Sequence, residues 1–201
     1  MSTIGNIFTA YDLERAVIDL VKAWMPAYLG KIERLQSLAG GSLPIPRSYE
    51  IIQEFDSFAE EQIPKIIVIS PGTAGEPIRE GDGTYKMTFI LRIGIVVSAS
   101  TRADTSRVAR LYAAAVRTLI LQHKGLGIET CDGLTFIEEA YDSFDVDARR
   151  TIAAATLGFE ITIRGVSDGM GTAGDTPPID PSVALDPYEL VEEIIVDSEV
   201  E

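Results

Sequence analysis

The chain has 201 residues, 46% hydrophobic and 24% charged, a composition ordinary for a globular domain with one substantial core. Its only cysteine is Cys131 and its only histidine His123, which excludes intrachain disulfides, Cys/His zinc sites and any Ser-His or Cys-His catalytic pair not built on His123. The formal net charge is -14, but ten of the 31 acidic residues and none of the 17 basic ones follow Arg164, so residues 1–164 carry only -4. Neither part has the basic excess that neutralising DNA phosphates requires. No apolar run is long enough to span a membrane and no charged-then-apolar leader opens the chain, so neither a membrane segment nor a signal peptide is expected.

In chain order, Leu13, Ala16, Val17, Leu20, Val21 and Trp24, then Leu29, Ile32 and Leu35, recur at helical spacing. One long helix over Tyr11–Leu38 is predicted, broken or kinked at Pro26, because proline lacks a backbone donor and clashes with the preceding turn. Gly40 and Gly41 end it. Pro44 and Pro46 make Leu43–Arg47 an extended connector. Tyr49, Ile51 and Phe55 begin a short strand, Glu60–Gln62 is a charged turn, and Ile66–Ile69 is a continuous apolar strand between Pro64 and Pro71. Such a run predicts burial on both faces.

Pro71–Gly83 is a glycine- and proline-rich loop. It lacks the terminal Gly-Lys-Ser/Thr of a phosphate loop and precedes a strand, so it reads as a connecting or partner-contacting hairpin loop. From Tyr85 to Val97 every odd position is apolar, the signature of a long, central strand with one buried face. Ile90, Gly94 and Val96 interrupt the other face, which predicts partial cover there too. After a polar turn with Asp104 or Thr105 as the expected cap, Val108, Leu111, Tyr112, Ala115, Val116, Leu119 and Ile120 form the apolar face of a helix that Gly125 and Gly127 stop. Leu134–Tyr141 and Ala155–Arg164 read as two closing strands.

No constellation for catalysis emerges. Asp142, Asp145 and Asp147 gather near an expected turn with Arg149 and Arg150, without the glycine and final glutamate of a calcium loop. Glu138 and Glu139 alternate to opposite faces of a strand and cannot share a proton. His123, near a helix C-terminus, is expected as a surface residue complementing the helix dipole. No metal, cofactor or catalytic residue is assigned. Arg110 and Arg117 lie seven residues apart on one helical stripe, with Arg107 nearby and Arg102 just before it. They form either a solvated face or a subunit interface meeting an acidic neighbour, where arginine suits ion pairing.

After residue 164 the chain changes character. Residues 165–201 are punctuated by glycine and proline, acidic and without period, and read as a flexible extension to a 1–164 domain. Within it, Tyr188–Val196 (YELVEEIIV) is apolar enough to form a short helix or to add a strand to a partner's sheet edge, folding on contact. The predicted architecture is α+β: an antiparallel sheet of four or five strands, the Arg102–His123 helix across one face, and the N-terminal helix alongside it or on the other.

A resemblance goes further than pattern. The order of long helix, prolyl connector, RSYEIIQEFDSFAEEQIPKIIVISPGTAG, YKMTFILRIGIVVSA, TSRVARLYAAAVRTLILQH and two closing strands resembles the lambda-type tail terminator proteins of long-tailed siphophages. The piece EFDSFAEEQIPKIIVISPG, Glu54–Gly72, carries it most strongly, and the similarity covers roughly Asp12–Arg164. It implies a non-enzymatic virion protein at the head-proximal end of the tail. Such proteins form a homohexameric ring on the last ring of the major tail tube protein, stop polymerisation and face the head-tail connector proteins. Genomic DNA would pass through the lumen without specific binding, and no membrane or cofactor is implied. Another connector or head-closure protein is the alternative, and a small enzyme or ligand-binding domain a more remote one.

Overall fold

The computed structural model describes residues 8–51, 62–147 and 150–166; of residues 144–147 and 150 it describes the backbone alone. The expected strand residue Phe55, the turn from Glu60, and the extension beyond Val166 therefore lie outside the described residues.

Helix α1 spans Ala10–Leu35. Its start is a reciprocal cap: Thr9 Oγ1 accepts from the Asp12 backbone N–H, and Asp12 Oδ2 accepts from the Thr9 N–H at 2.9 Å. The Thr9 hydroxyl also donates to Asp12 Oδ2 at 2.7 Å, and this bond, with the one from the Thr9 N–H, holds the Asp12 carboxyl below its usual range. Leu13, Val17, Val21, Met25 and Leu29 form the buried stripe. Of the break or kink expected at Pro26, the break is absent, since one helix runs through it. Pro26 and Lys22 both sit on the solvent side, where water can satisfy the Lys22 carbonyl that proline leaves without a donor.

Strands β1 (Ser48–Ile51), β2 (Lys65–Thr73), β3 (Ile78–Arg79), β4 (Tyr85–Ser98), β5 (Cys131–Asp147) and β6 (Arg150–Val166) form one sheet in the order β1-β2-β4-β6-β5, with β3 pairing β4 beside β2. β1 and β2 are parallel and every other pair is antiparallel. The Tyr85 strand is central, as its alternation predicts. Of the run Ile66–Ile69 expected to be buried on both faces, Ile66, Ile67 and Val68 are buried and Ile69 is half-buried. Pro71 does not end β2, because the strand continues past it through a bulge between Ile69 and Gly72. Its missing donor is harmless there, since β1 reaches only as far as Val68. The loop after Pro71 folds back as the β3–β4 hairpin, turned at Gly83 with φ +88°.

Helix α2 spans Arg102–Gln122. Its N-cap is Thr101, not Asp104 or Thr105: Thr101 Oγ1 accepts from the Asp104 N–H at 3.1 Å. Thr105 is instead buried, its hydroxyl bonded to the Thr101 carbonyl at 2.8 Å and to the Ala99 N–H at 3.0 Å. The buried odd-numbered face of β4 (Phe89, Leu91, Ile93, Ile95, Val97) belongs to one core cluster with both helices. The helices therefore lie side by side on the same face, giving a two-layer α+β fold. Each fully buried Leu or Ile there contributes about 1.5–3 kcal/mol. Tyr112, completely buried, hydrogen-bonds its hydroxyl to the Pro44 carbonyl and so ties the prolyl connector to α2.

On the opposite face the buried apolar side chains among the described residues form a small cluster, Ile63, Ile67, Val96 and Ile152, and Val96 is one of the apolar interruptions in the even face of β4. The rest is polar and partly open. Thr88 and Thr162 hydrogen-bond across strands at 3.1 Å, and Arg92 is exposed.

Candidate functional site

The arginine stripe lies on α2 above the edge strand β5, and what it meets depends on β5's irregularity. Leu134 and Phe136 pair with Ile161 and Phe159 and face the helices. The register then shifts between Phe136 and Glu138, after which Glu139, Tyr141 and Ser143 pair with Leu157, Ala155 and Ala153 on that same face. One extra residue, Ile137, switches the strand's parity. Acidic and aromatic groups consequently rise beneath the helix where plain alternation would point them away.

Arg117 forms an ion pair with Glu139 and lies 5.9 Å from the Phe136 ring centroid. Glu139 also accepts from the Tyr141 hydroxyl. Arg110 stands 5.3 Å over the Tyr141 ring. Burial, then the hydrogen bond to Glu139 and its charge, push the Tyr141 phenol up to about 12. Arg102, Arg107 and Arg110 are exposed and Arg117 half-buried. Arg110 and Arg117 thus engage their own chain's edge strand.

The acidic residues do not converge. Glu138 and Glu139 project to opposite faces as expected, Glu138 packing over Gly158, where a side-chain Cβ would come within 2.8 Å of Glu138 Cγ. Asp142 and Asp145 lie within β5, opposite Ala154 and Thr151, because the strands run much further than their sequence pattern indicates. The expected turn around these residues is replaced by a hairpin whose tip lies outside the described residues. Among the described residues no His, Cys, Asp and Glu group has the geometry to hold a metal ion. Asp142 lines a small hollow of about 130 Å³ with Ser106, Arg110 and Tyr141.

His123 is the C-cap of α2, its ring 5.2 Å from that of Trp24 and 6.3 Å from that of Tyr28. By the helical rise it lies roughly 20 Å from the Asp142 hollow, so the two form no joint site. Trp24, placed in the core by its spacing, is 48% exposed. Cys131 is half-buried on β5, and burial raises its thiol pKa, which suits a packed thiol better than a reactive one.

On the open face, Lys86 Nζ bonds Asp132 Oδ2 at 2.8 Å, and Arg164 Nε lies 3.1 Å from Asp132 and 3.3 Å from Glu80. This lattice links the β3 hairpin to β5 across β4 and β6. Sequence reasoning missed it because its members are far apart in the chain. Among the described residues no helix is long and apolar enough to cross a membrane.

Among the described residues, the fold is a two-layer α+β arrangement with one sheet face covered by the helices, the other largely open, and β1 and β5 each paired on one side only. No family model matches the chain, and neither does any curated protein sequence. Among solved structures, a chain in the virion of a native gene transfer agent particle superimposes with a TM-score of 0.42 at 15% identity, covering 70% of this chain and 95% of that one.

Proposed function

We propose that the protein is a structural virion component, a tail terminator that caps the tail tube as a hexameric ring and presents the surface on which the head joins, without catalysis. The observation that carries this reading is the order of elements: α1, the prolyl connector, β1, β2, the hairpin, β4, α2, β5 and β6 follow one another as in the family that Asp12–Arg164 resembles. A closed ring requires two different patches on each subunit that meet head to tail. One such patch lies at an end of the strand order, β5 with the arginines of α2 above it. Arg102, Arg107 and Arg110, with Arg117 behind them, are proposed as one half of the subunit contact. The net negative charge of residues 1–164 suits a lumen through which DNA slides, since like charges prevent tight phosphate contacts.

In this account the protein belongs to the virion, its partners being further copies of itself, the tube protein and the connector. The 1–164 and 165–201 division is retained as a proposal, with the first unit extended to Val166, where β6 ends. A test is to add the protein while tube protein polymerises: growth should halt with the added protein on the tube ends, and unimpeded growth would contradict the assignment. A head-tail connector role predicts instead that the protein binds particles only from the head side.

A further inference from the structure

A groove of about 480 Å³ runs between α1 and the edge strand β1. Tyr11, Arg15 and Lys22 line its helix wall and Tyr49 and Ile51 its strand wall. Each cation is held against an aromatic ring, Arg15 at 6.0 Å from the Tyr11 centroid and Lys22 at 5.7 Å from that of Tyr49. Tyr11 is 56% exposed. Asp19 is the one acidic residue on the lining, so the groove carries a net positive charge in a chain that is otherwise acidic. β1 is hydrogen-bonded to β2 on one side, and among the described residues no strand pairs with its other edge.

We infer that this groove receives the chain's own segment Tyr188–Val196, added as an extra strand to the outer edge of β1. Three observations converge on that occupant. The first is chemistry: YELVEEIIV joins β-branched apolar residues to Glu189, Glu192 and Glu193, while the groove offers aromatic walls with Arg15 and Lys22 between them. The second is the period of a strand. Alternate side chains point the same way, so Leu190, Ile194 and Val196 enter the groove together and Glu192 falls among them, toward the cations.

The third is reach. Val166 ends β6 opposite Tyr85, whereas β1 lies three strands from β6 and beside the other end of β4, where Lys65 of β2 pairs with Val96. That separation is roughly 35 Å at about 3.3 Å per residue along a strand and about 4.8 Å between strands. The 21 residues from 167 to 187 span up to about 70 Å when extended. An intramolecular segment on such a tether acts at an effective concentration near the millimolar range. Docking there also covers a strand edge that would otherwise template pairing between molecules.

The test is amide hydrogen exchange on the full chain at low protein concentration. Residues 190–196 should exchange at least about tenfold more slowly than an unstructured peptide, and Ile194→Asp should abolish that protection. Arg15→Glu with Lys22→Glu should weaken it, and Glu192→Lys with Glu193→Lys in that background should restore it. Fast exchange throughout 188–196 would overturn the proposal. So would protection that appears only as concentration rises, since the segment would then be seated on a second copy. Protection that survives both Ile194→Asp and the groove substitutions would place the segment elsewhere and equally reject this site.

Discussion

Glu14 of α1 and Ser70 of β2, 56 residues apart, meet through a 2.6 Å hydrogen bond from the Ser70 backbone N–H to Glu14 Oε1. Ser70 lies in the bulge beside Pro71, where ladder pairing is interrupted, and its hydroxyl bonds the Ile90 carbonyl at 2.8 Å. The helix carboxylate, only 8% exposed, thus supplies the acceptor that the sheet does not. Glu14→Ala should cost about 1–3 kcal/mol, the penalty of an orphaned buried donor, and Glu14→Gln less, because an acceptor remains. Denaturant midpoints at constant m-value would measure both.

Lys65 is buried and pairs with Glu50 at 2.6 Å, on the sheet face away from the helices. Burial raises the Glu50 carboxyl pKa, but hydrogen bonds from Lys65 and Ser48 outweigh it, and the net shift is downward. A depressed carboxyl contributes stability that is complete above its unfolded value near 4.5 and is lost as pH falls through the lower folded value. Acid unfolding should accordingly be less steep in Glu50→Gln. Removing Lys65 as Lys65→Ala should destabilise by about 1–3 kcal/mol, since it takes away the charged partner of Glu50, which is itself 26% exposed.

Tyr141 should ionise near pH 12 in an ultraviolet titration of the folded protein. The folded state favours the neutral phenol, so its contribution to stability is full below the unfolded value near 10 and declines as pH rises from there toward 12. Glu139→Gln should bring the titration back toward 10 by removing the negative charge, while Tyr141→Phe should remove one phenol from the late-titrating signal and leave Tyr112, which burial also raises.

The proposed subunit contact predicts a separation of folding from assembly. Arg107→Glu with Arg110→Glu should block ring formation while leaving the monomer folded, since Arg107 is exposed and the Arg110–Tyr141 contact is worth only about 0.5–1 kcal/mol. Arg117→Glu should by contrast destabilise the monomer, because it sets a second carboxylate beside Glu139. Sedimentation with and without tubes, alongside circular dichroism, distinguishes the two outcomes.

β4, and β6 from Ala155 onward, are legible in the sequence because the apolar residues of their helix-facing side alternate without interruption. β5 is legible only in part. The extra residue at Ile137 inverts its parity, so no period-2 reading could place Glu139 and Tyr141 beneath α2. The stripe of Arg110 and Arg117 could be read from helical spacing, but its partners could not, because they depend on that bulge. Trp24 and Pro26 misled for a related reason: spacing assigns a residue to a helix face without saying how far the neighbouring layer covers it. Trp24 falls beyond the cover of α2's end, and Pro26 faces water, where the helix tolerates it. The Glu14–Ser70 bond and the Lys86–Asp132–Arg164 lattice have no local sequence signal at all.

The most direct test of the central claim is to mix the purified protein with tail tubes from a terminator-deficient lysate and image the tube ends by electron microscopy. The account predicts a ring of added density on the end distal to the tip, with tube length held uniform. Bare ends, with the protein on filled heads or on no particle, would contradict it.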